Sequence, residues 1–399
     1  MTDPSVSAIL DGIASSRTAF DNHEAGSREA LIDYGRKLIT ALEIPSEFIQ
    51  RTFWAEPAQS AIVRLAVDVK LFQYLRDGGH AGLTSTALSQ KTGVDTVLLS
   101  RLARHLVAMN LLSFRDGAFH PTRLSNDLAA ENFQHSIAFC YDAARPSFNG
   151  FPEYFKNSEY RSPTLGGTDG PFQHAHKTKL PFFEWLVATP PHLQHFDSFM
   201  SAYRAGKANW YDFYPVTELM ITGFDPSVSD VLLVDVGGGK GHDVANFAAQ
   251  YTSHPGRIIL QDREPVIASV LANGSEGFEA QAYNFFKPQP IKGARAYSLH
   301  SILHDWGDED GIMILKNLAP ALEKGYSRVL LNEIVVSEEK PTLAATSMDM
   351  MMLAHFAVRE RTEAEWRTIL AAAGLKVVNI YTYPGVAESL IEAELALDL

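Results

Sequence analysis

VLLVDVGGGKGHD, residues 231–243, is the stretch on which the fold turns. A near-continuous apolar run ending in glycines is the pattern of a strand buried in a parallel sheet, followed by a tight loop. Gly237, Gly239 and Gly241 form a G-x-G-x-G between that strand and the helical segment GHDVANFAAQY. Glycines there let the backbone turn sharply and approach a ligand without Cβ clashes. The dinucleotide fingerprint needs its third glycine at position 242, which is His242, and a phosphate loop needs Ser or Thr after Lys240, where Gly241 stands. The loop therefore favours an adenosyl ligand that carries no pyrophosphate.

Working outward, short strands and helices alternate after Pro226: RIILQD, then EPVIASVLA, ARAYSLH, DEDGIMILKNLAPAL, RVLLNEIVV and the closing TEAEWRTILAAAGLKVVNIYTY. Such alternation predicts a doubly wound α/β sheet with ligands at the carboxyl ends of its strands. Asp262 ends the second strand, where a carboxylate can accept both hydroxyls of a ribose.

Before that point the periodicity is helical. REALIDYGRKLITALEI and AIVRLAVDVKLFQYL repeat apolar residues at three and four. A helix from Ser85 to Thr92, a turn at Gly93, a helix from Asp95 to Met109 and a hairpin about Asp116-Gly117 make a winged-helix pattern. Its second helix offers only Arg101, Arg104 and His105 as cations, in a chain of 399 residues with a net charge of −13. That charge argues against nucleic acid and anionic membrane as partners, and leaves the winged helix a structural or dimerisation role. The expected division is a helical, winged-helix domain over residues 1–220 and an α/β domain over 221–399. One cysteine, Cys140, no basic leader and no apolar run of roughly 18 to 20 residues predict a cytoplasmic protein without disulfide or membrane span.

YSLHSILHDWGDED, residues 297–310, sets His300 and His304 four apart. On a helix both imidazoles would share a face. The spacing alone admits a metal pair, a general base with a neighbour, or two core histidines. Zinc needs a third ligand, and no Cys or His cluster is near in sequence, so no metal is expected.

VDVGGGKGHD, LQDREPVI, FFKPQPIKGARAYSLHSILHDWGDED and RERTEAEW together resemble the S-adenosylmethionine-dependent O-methyltransferases of plant caffeic-acid type, in their fungal natural-product branch. The resemblance spans nearly the whole chain. It implies a Rossmann-like class I methyltransferase domain behind a mostly helical domain that contains a winged helix and dimerises. The cofactor it implies is S-adenosylmethionine, with S-adenosylhomocysteine as product. Asp235, Gly237 and Gly239 would hold the amino-acid end of that cofactor, Asp262 its ribose, and Asn284 and Phe285 its adenine, with Arg263 a further cofactor-binding residue. His304 matches the family's catalytic base, and Glu333 and Glu360 the two acids that flank it. The implied reaction is methylation of a phenol, enol or hydroxypyridone hydroxyl on a secondary metabolite.

Two positions depart from the family: Asn284 stands where members usually carry Asp, and His300 where they commonly carry Lys or Arg. His135 lies where the fold's substrate chamber would be. Some fungal relatives, the leporin-type pericyclases, keep the cofactor as a fixed charge and rearrange their substrate without methyl transfer. His135 and His300 are therefore expected to bind substrate, with Phe182, Trp185, Met351 and Phe356 as an apolar wall. Satisfied polar residues beside an apolar core remain the plainer alternative.

Overall fold

The computed structural model describes residues 5–164, 168–203, 206–274 and 277–396. They fall into two compact units, one within Met1–Arg161 and Thr168–Gly206, the other within Ser162–Gly167 and Lys207–Leu399.

The first unit is helical. Helices α1 (Val6–Asp21) and α2 (Ser27–Leu42) pack on each other and leave Leu10, Phe20, Ile39 and Leu42 about half exposed, at 50, 46, 49 and 61%. Thr84 and Asp95 each accept a hydrogen bond from a first-turn amide, which starts α3 (Ser85–Thr92) and α4 (Thr96–Ala108). Gly93, in left-handed conformation, closes α3. Strands β1 (Leu112–Arg115) and β2 (Ala118–Pro121) pair antiparallel through Asp116 and Gly117, both at positive φ, as a two-residue hairpin demands. The winged helix is thus formed where the turn signals put it. Its core joins Leu88, Leu99, Ala103, Leu106 and Phe119 to Phe72 and Leu75. Farther on, α5 (Glu131–Ala138) and α6 (His192–Ala202) pack side by side.

The second unit is a sheet covered on both faces. Its strands are β3 (Val231–Val236), β4 (Arg257–Asp262), β5 (Glu279–Ala282), β6 (Ala296–His300), β7 (Arg328–Val336), β8 (Arg361–Thr362), β9 (Leu375–Thr382) and β10 (Glu388–Leu395). The order is β5-β4-β3-β6-β7-β10-β9, with β8 paired to β7. The pairs among β5, β4, β3, β6 and β7 are parallel, whereas β10 runs antiparallel between β7 and β9. The sheet is therefore mixed, because a strand beyond residue 383 turns back into it. Helices α7 (His242–Gln250), α8 (Glu264–Asn273), α9 (Asp308–Leu318), α10 (Leu343–Phe356) and α11 (Glu363–Ala372) complete the unit.

Residues 207–220 belong to this unit, although the sequence division fell after Met220. The reason is aromatic packing: Trp210 stacks on Phe247 of α7 at 5.7 Å, and Tyr211, Tyr214, Val216 and Met220 join the same buried layer. A second correction concerns residues 297–310. The strand ends at His300, Ser301 takes a φ of 51°, and Leu303–Asp305 form a short 3-10 turn, so the two histidines are not on one helical face. Among the described residues, no helix is long and apolar enough to cross a membrane.

Leu331 lies fully buried on β7, among Val329, Leu299 and Ile391. Leu331→Ala should cost about 2–5 kcal/mol by removing packed methyl groups and leaving a cavity. Urea unfolding followed by tryptophan fluorescence should show the lowered midpoint.

Candidate active site

The carboxyl ends of β3, β4 and β6 meet around the glycine loop, the place where an open α/β sheet receives ligands. Gly237, Gly239 and Gly241 all have positive φ (79°, 59° and 81°), which L-residues with a Cβ rarely adopt. A Cβ on Gly238 would run into Asp235 Oδ2. Asp235 therefore lies buried beneath the loop. Its Oδ1 accepts from Ser298 Oγ at 2.9 Å, and its Oδ2 has no hydrogen-bond partner. Burial, together with Asp243 and Asp262, raises its pKa to about 7. Asp262 accepts the Gly239 amide on Oδ2 (2.9 Å) and the Arg263 amide on Oδ1 (2.6 Å). Three carboxylates about one loop suit a ligand that brings positive charge.

Phe285 and Ile302 pack beside Gly237, an apolar slab at the loop's edge. Asn284 is exposed, with Oδ1 accepting the Phe286 amide at 3.0 Å, and Arg263 is exposed at the N-cap of α8.

The His304 turn is fixed from both chemical sides. Glu333 Oε1, from β7, accepts the amides of Ile302 (2.9 Å) and Leu303 (2.7 Å). Arg361, at the start of β8, donates to the carbonyls of Leu303 (2.8 Å) and Trp306 (2.7 Å) and to Asp308 (2.9 Å). The imidazole itself is buried, with Nδ1 2.9 Å from Glu360 Oε1 and Nε2 3.5 Å from Asp305 Oδ1. Asp349 of α10 in turn accepts the Glu360 amide at 2.8 Å. The two acids thus differ in role. Glu360 orients the ring, while Glu333 holds the backbone under it and contributes its charge. Burial pulls the His304 pKa down, but Asp305, the Glu360 hydrogen bond and Glu333 outweigh it and raise the value to about 10. Glu333 is raised to about 7, chiefly by burial.

The residues expected to bind substrate separate. His300 Nδ1 is 2.5 Å from Asp243 Oδ2, at the first turn of α7. Met351 and Phe356, partly buried, ride on α10, the helix tied to Glu360. His135, Phe182 and Trp185 lie in the first unit. There His135 Nδ1 meets Ser198 Oγ at 3.0 Å, its ring lies 5.0 Å from that of His195, and Trp185 stacks on His192 at 4.8 Å. Phe182 packs on Phe139 and Phe172. Among the described residues, no group of three His, Cys, Asp or Glu is placed to hold a metal ion.

Asp243, Ser298, Asp349 and Arg361 were not singled out in the sequence, and Asp305 was read as pointing away from His304 on a helix, which the 3-10 turn overrides. Ser298 and His300 did carry a signal, since residues two apart on a strand share a face. Arg361 sits beside Glu360 in RERTEAEW, yet nothing in sequence says that its guanidinium reaches back to residues 303–306.

Residues 197–376 match the O-methyltransferase domain family. An O-methyltransferase, mpaG, of Penicillium roqueforti (strain FM164) is 66% identical over 398 residues, which are 99% of this chain and 100% of that protein. Among solved structures, one titled "A Pericyclic Reaction enzyme" superposes with a TM-score of 0.88 at 25% identity, covering 96% of this chain and 98% of its own. LepI in complex with S-adenosylmethionine gives a TM-score of 0.87 at 25% identity, covering 97% and 100%.

Glu333→Gln keeps an acceptor for the two amides and removes one negative charge near His304. The His304 pKa should fall by about one unit, visible in an NMR titration of its imidazole. Because the folded value of about 10 exceeds the unfolded one of about 6.5, the stabilisation is complete below pH ~6.5 and is lost as pH rises towards ~10. Glu333→Gln should make that loss smaller in urea unfolding across the same range.

Proposed function

The chain belongs to the O-methyltransferase family, whose cofactor is S-adenosylmethionine, and on that footing we propose that it methylates a phenolic or enolic hydroxyl of a secondary metabolite, with His304 as general base. The observation that carries the reading is the 2.9 Å contact of His304 Nδ1 with Glu360, which fixes the ring and leaves Nε2, 3.5 Å from Asp305 Oδ1, as the nitrogen that would take the acceptor's proton.

A phenol, with a pKa of about 10, is largely un-ionised at neutral pH and a weak nucleophile. A base within hydrogen-bond reach removes its proton as the new C–O bond forms, which is worth roughly 10²- to 10⁴-fold. Asp305, Glu360 and Glu333 raise the basicity of His304, which strengthens its hold on that proton once the ring is neutral. Glu360 then supports the imidazolium, as a carboxylate does in other base–orienter pairs. S-adenosylmethionine supplies an electrophilic methyl on a sulfonium, and this positive charge also favours the neutral, proton-accepting form of a nearby imidazole.

The acids fit that cofactor. Asp262 keeps acceptor sites for two ribose hydroxyls beyond the amides it already holds. Phe285 and the glycine loop are assigned to the adenine and the amino-acid end, and Met351 and Phe356 to the acceptor. The 66% identity to an O-methyltransferase favours methyl transfer over a rearrangement of the pericyclic kind.

We propose a homodimer on the exposed apolar side chains of the first unit. Phe53 and Trp54, at 65 and 66% exposure, add to the uncovered side chains of α1 and α2. A second copy would bury them and recover their transfer free energy.

Incubation with methyl-labelled S-adenosylmethionine and candidate phenols should give a labelled product one methyl heavier. His304→Ala should lose at least ~10²-fold in kcat with cofactor binding kept. An unlabelled product of unchanged mass, or lighter by water, would replace methyl transfer by a cofactor-dependent rearrangement. Sedimentation should give twice the 44.0 kDa chain mass. A single species at the chain mass would rule out the dimer.

A further inference from the structure

Ser298 and His300 stand two apart on β6 and so share one face of the sheet. Each grips an acid on the neighbouring β3–α7 connection. Ser298 Oγ donates to Asp235 at 2.9 Å, before the glycine loop, and His300 Nδ1 meets Asp243 at 2.5 Å, after it. The first contact follows the sheet register, since Asp235 and Ser298 are direct partners across β3 and β6. The second spans strand and helix, and both side chains are largely shielded, at 14 and 24% exposure.

Between these grips the loop's glycines are held through their amides: Gly237 and Gly238 donate to the Gln261 carbonyl, Gly239 to Asp262 and Gly241 to the Gly238 carbonyl. Gly237, Gly239 and Gly241 all sit at positive φ, and a Cβ on Gly239 would meet nothing within 4 Å, so these glycines add no side-chain contact to that hold. Glycine loses more backbone freedom on ordering than any other residue. Fixing the two ends removes part of that freedom before a ligand arrives.

We infer that His300 is a positioning residue for the cofactor, and that it acts by clasping Asp243 so that β6 holds both ends of the glycine loop. The inference rests on the glycine loop being the cofactor site. The clasp preorganises the loop, and ligand binding then costs less ordering. His300 is thereby taken out of the acceptor's reach as a polarising group. What the geometry supplies opposite Asp243 is a ring nitrogen held at the first turn of α7.

The test is calorimetric binding of S-adenosylhomocysteine to the full-length protein, with steady-state kinetics beside it. His300→Ala should weaken S-adenosylhomocysteine about tenfold and leave the acceptor KM unchanged. Asp243→Asn, close in shape to the original, should weaken it by a similar factor. The double variant should be no worse than either single one, because the two changes break one contact. His300→Arg, which keeps a side-chain donor opposite Asp243, should retain most of the affinity. Three results would overturn the clasp: unchanged affinity in His300→Ala, a raised acceptor KM with cofactor binding intact, or tighter binding in His300→Ala beside weaker binding in Asp243→Asn. The last would mean that Asp243 acts on the ligand by charge alone. A wild-type protein that fails to bind S-adenosylhomocysteine would instead remove the cofactor site itself.

Discussion

A buried carboxylate that accepts two backbone amides is the constraint on which the site depends. Glu333 is fully enclosed on β7, and an ionised group there is tolerable only because Ile302 and Leu303 donate to it and Arg361 lies across the same turn. Those bonds bend the chain sharply after β6. The bend lifts His304 out of strand geometry and points its Nδ1 at Glu360. Without it, residues 301–306 would continue the strand or fold into the helix that their spacing allows. The imidazole then inherits a field of three carboxylates, and that field raises its basicity.

The acids around the two halves of the site do different work. Near His304 they raise a base. Near the glycine loop Asp235, Asp243 and Asp262 are mostly spent on the protein itself, on Ser298, His300 and the Gly239 amide. Their charges still add up on one edge of the sheet. A cationic ligand arriving there meets preformed dipoles and anions and needs little rearrangement of the protein.

Much of this was legible in the chain. The strands at 231–236, 257–262 and 328–336 were marked by apolar runs, and the winged helix by Gly93, Asp95 and Asp116-Gly117, because caps and turns are decided by local chemistry. The family resemblance supplied His304, Glu333 and Glu360 as a group, and the structure brings the three together. Long-range pairings were illegible. Spacing of four between His300 and His304 reads as helix, yet a positive φ at Ser301 and the pull of Glu333 from 31 residues away override it. The grip of Asp243 on His300 spans 57 residues, and no local pattern encodes it. The antiparallel β10 escaped for a related reason: its place between β7 and β9 is decided by the free edges that the earlier strands leave.

That placement has a consequence for the order in which the domain is completed. Residues 388–395 are synthesised after the other strands of this sheet, but they do not close it from outside. They are wedged between β7 and β9, with Ser389 directly opposite Glu333. Until they emerge, the strand that carries Glu333 has an open flank, and β9 has no neighbour. The nascent chain must therefore keep a gap of one strand in an otherwise formed sheet, with backbone donors and acceptors exposed for pairing with any other strand at hand. Removing residues 388–395 would take away an inner strand rather than an edge, and with it the lateral support of the turn that carries His304.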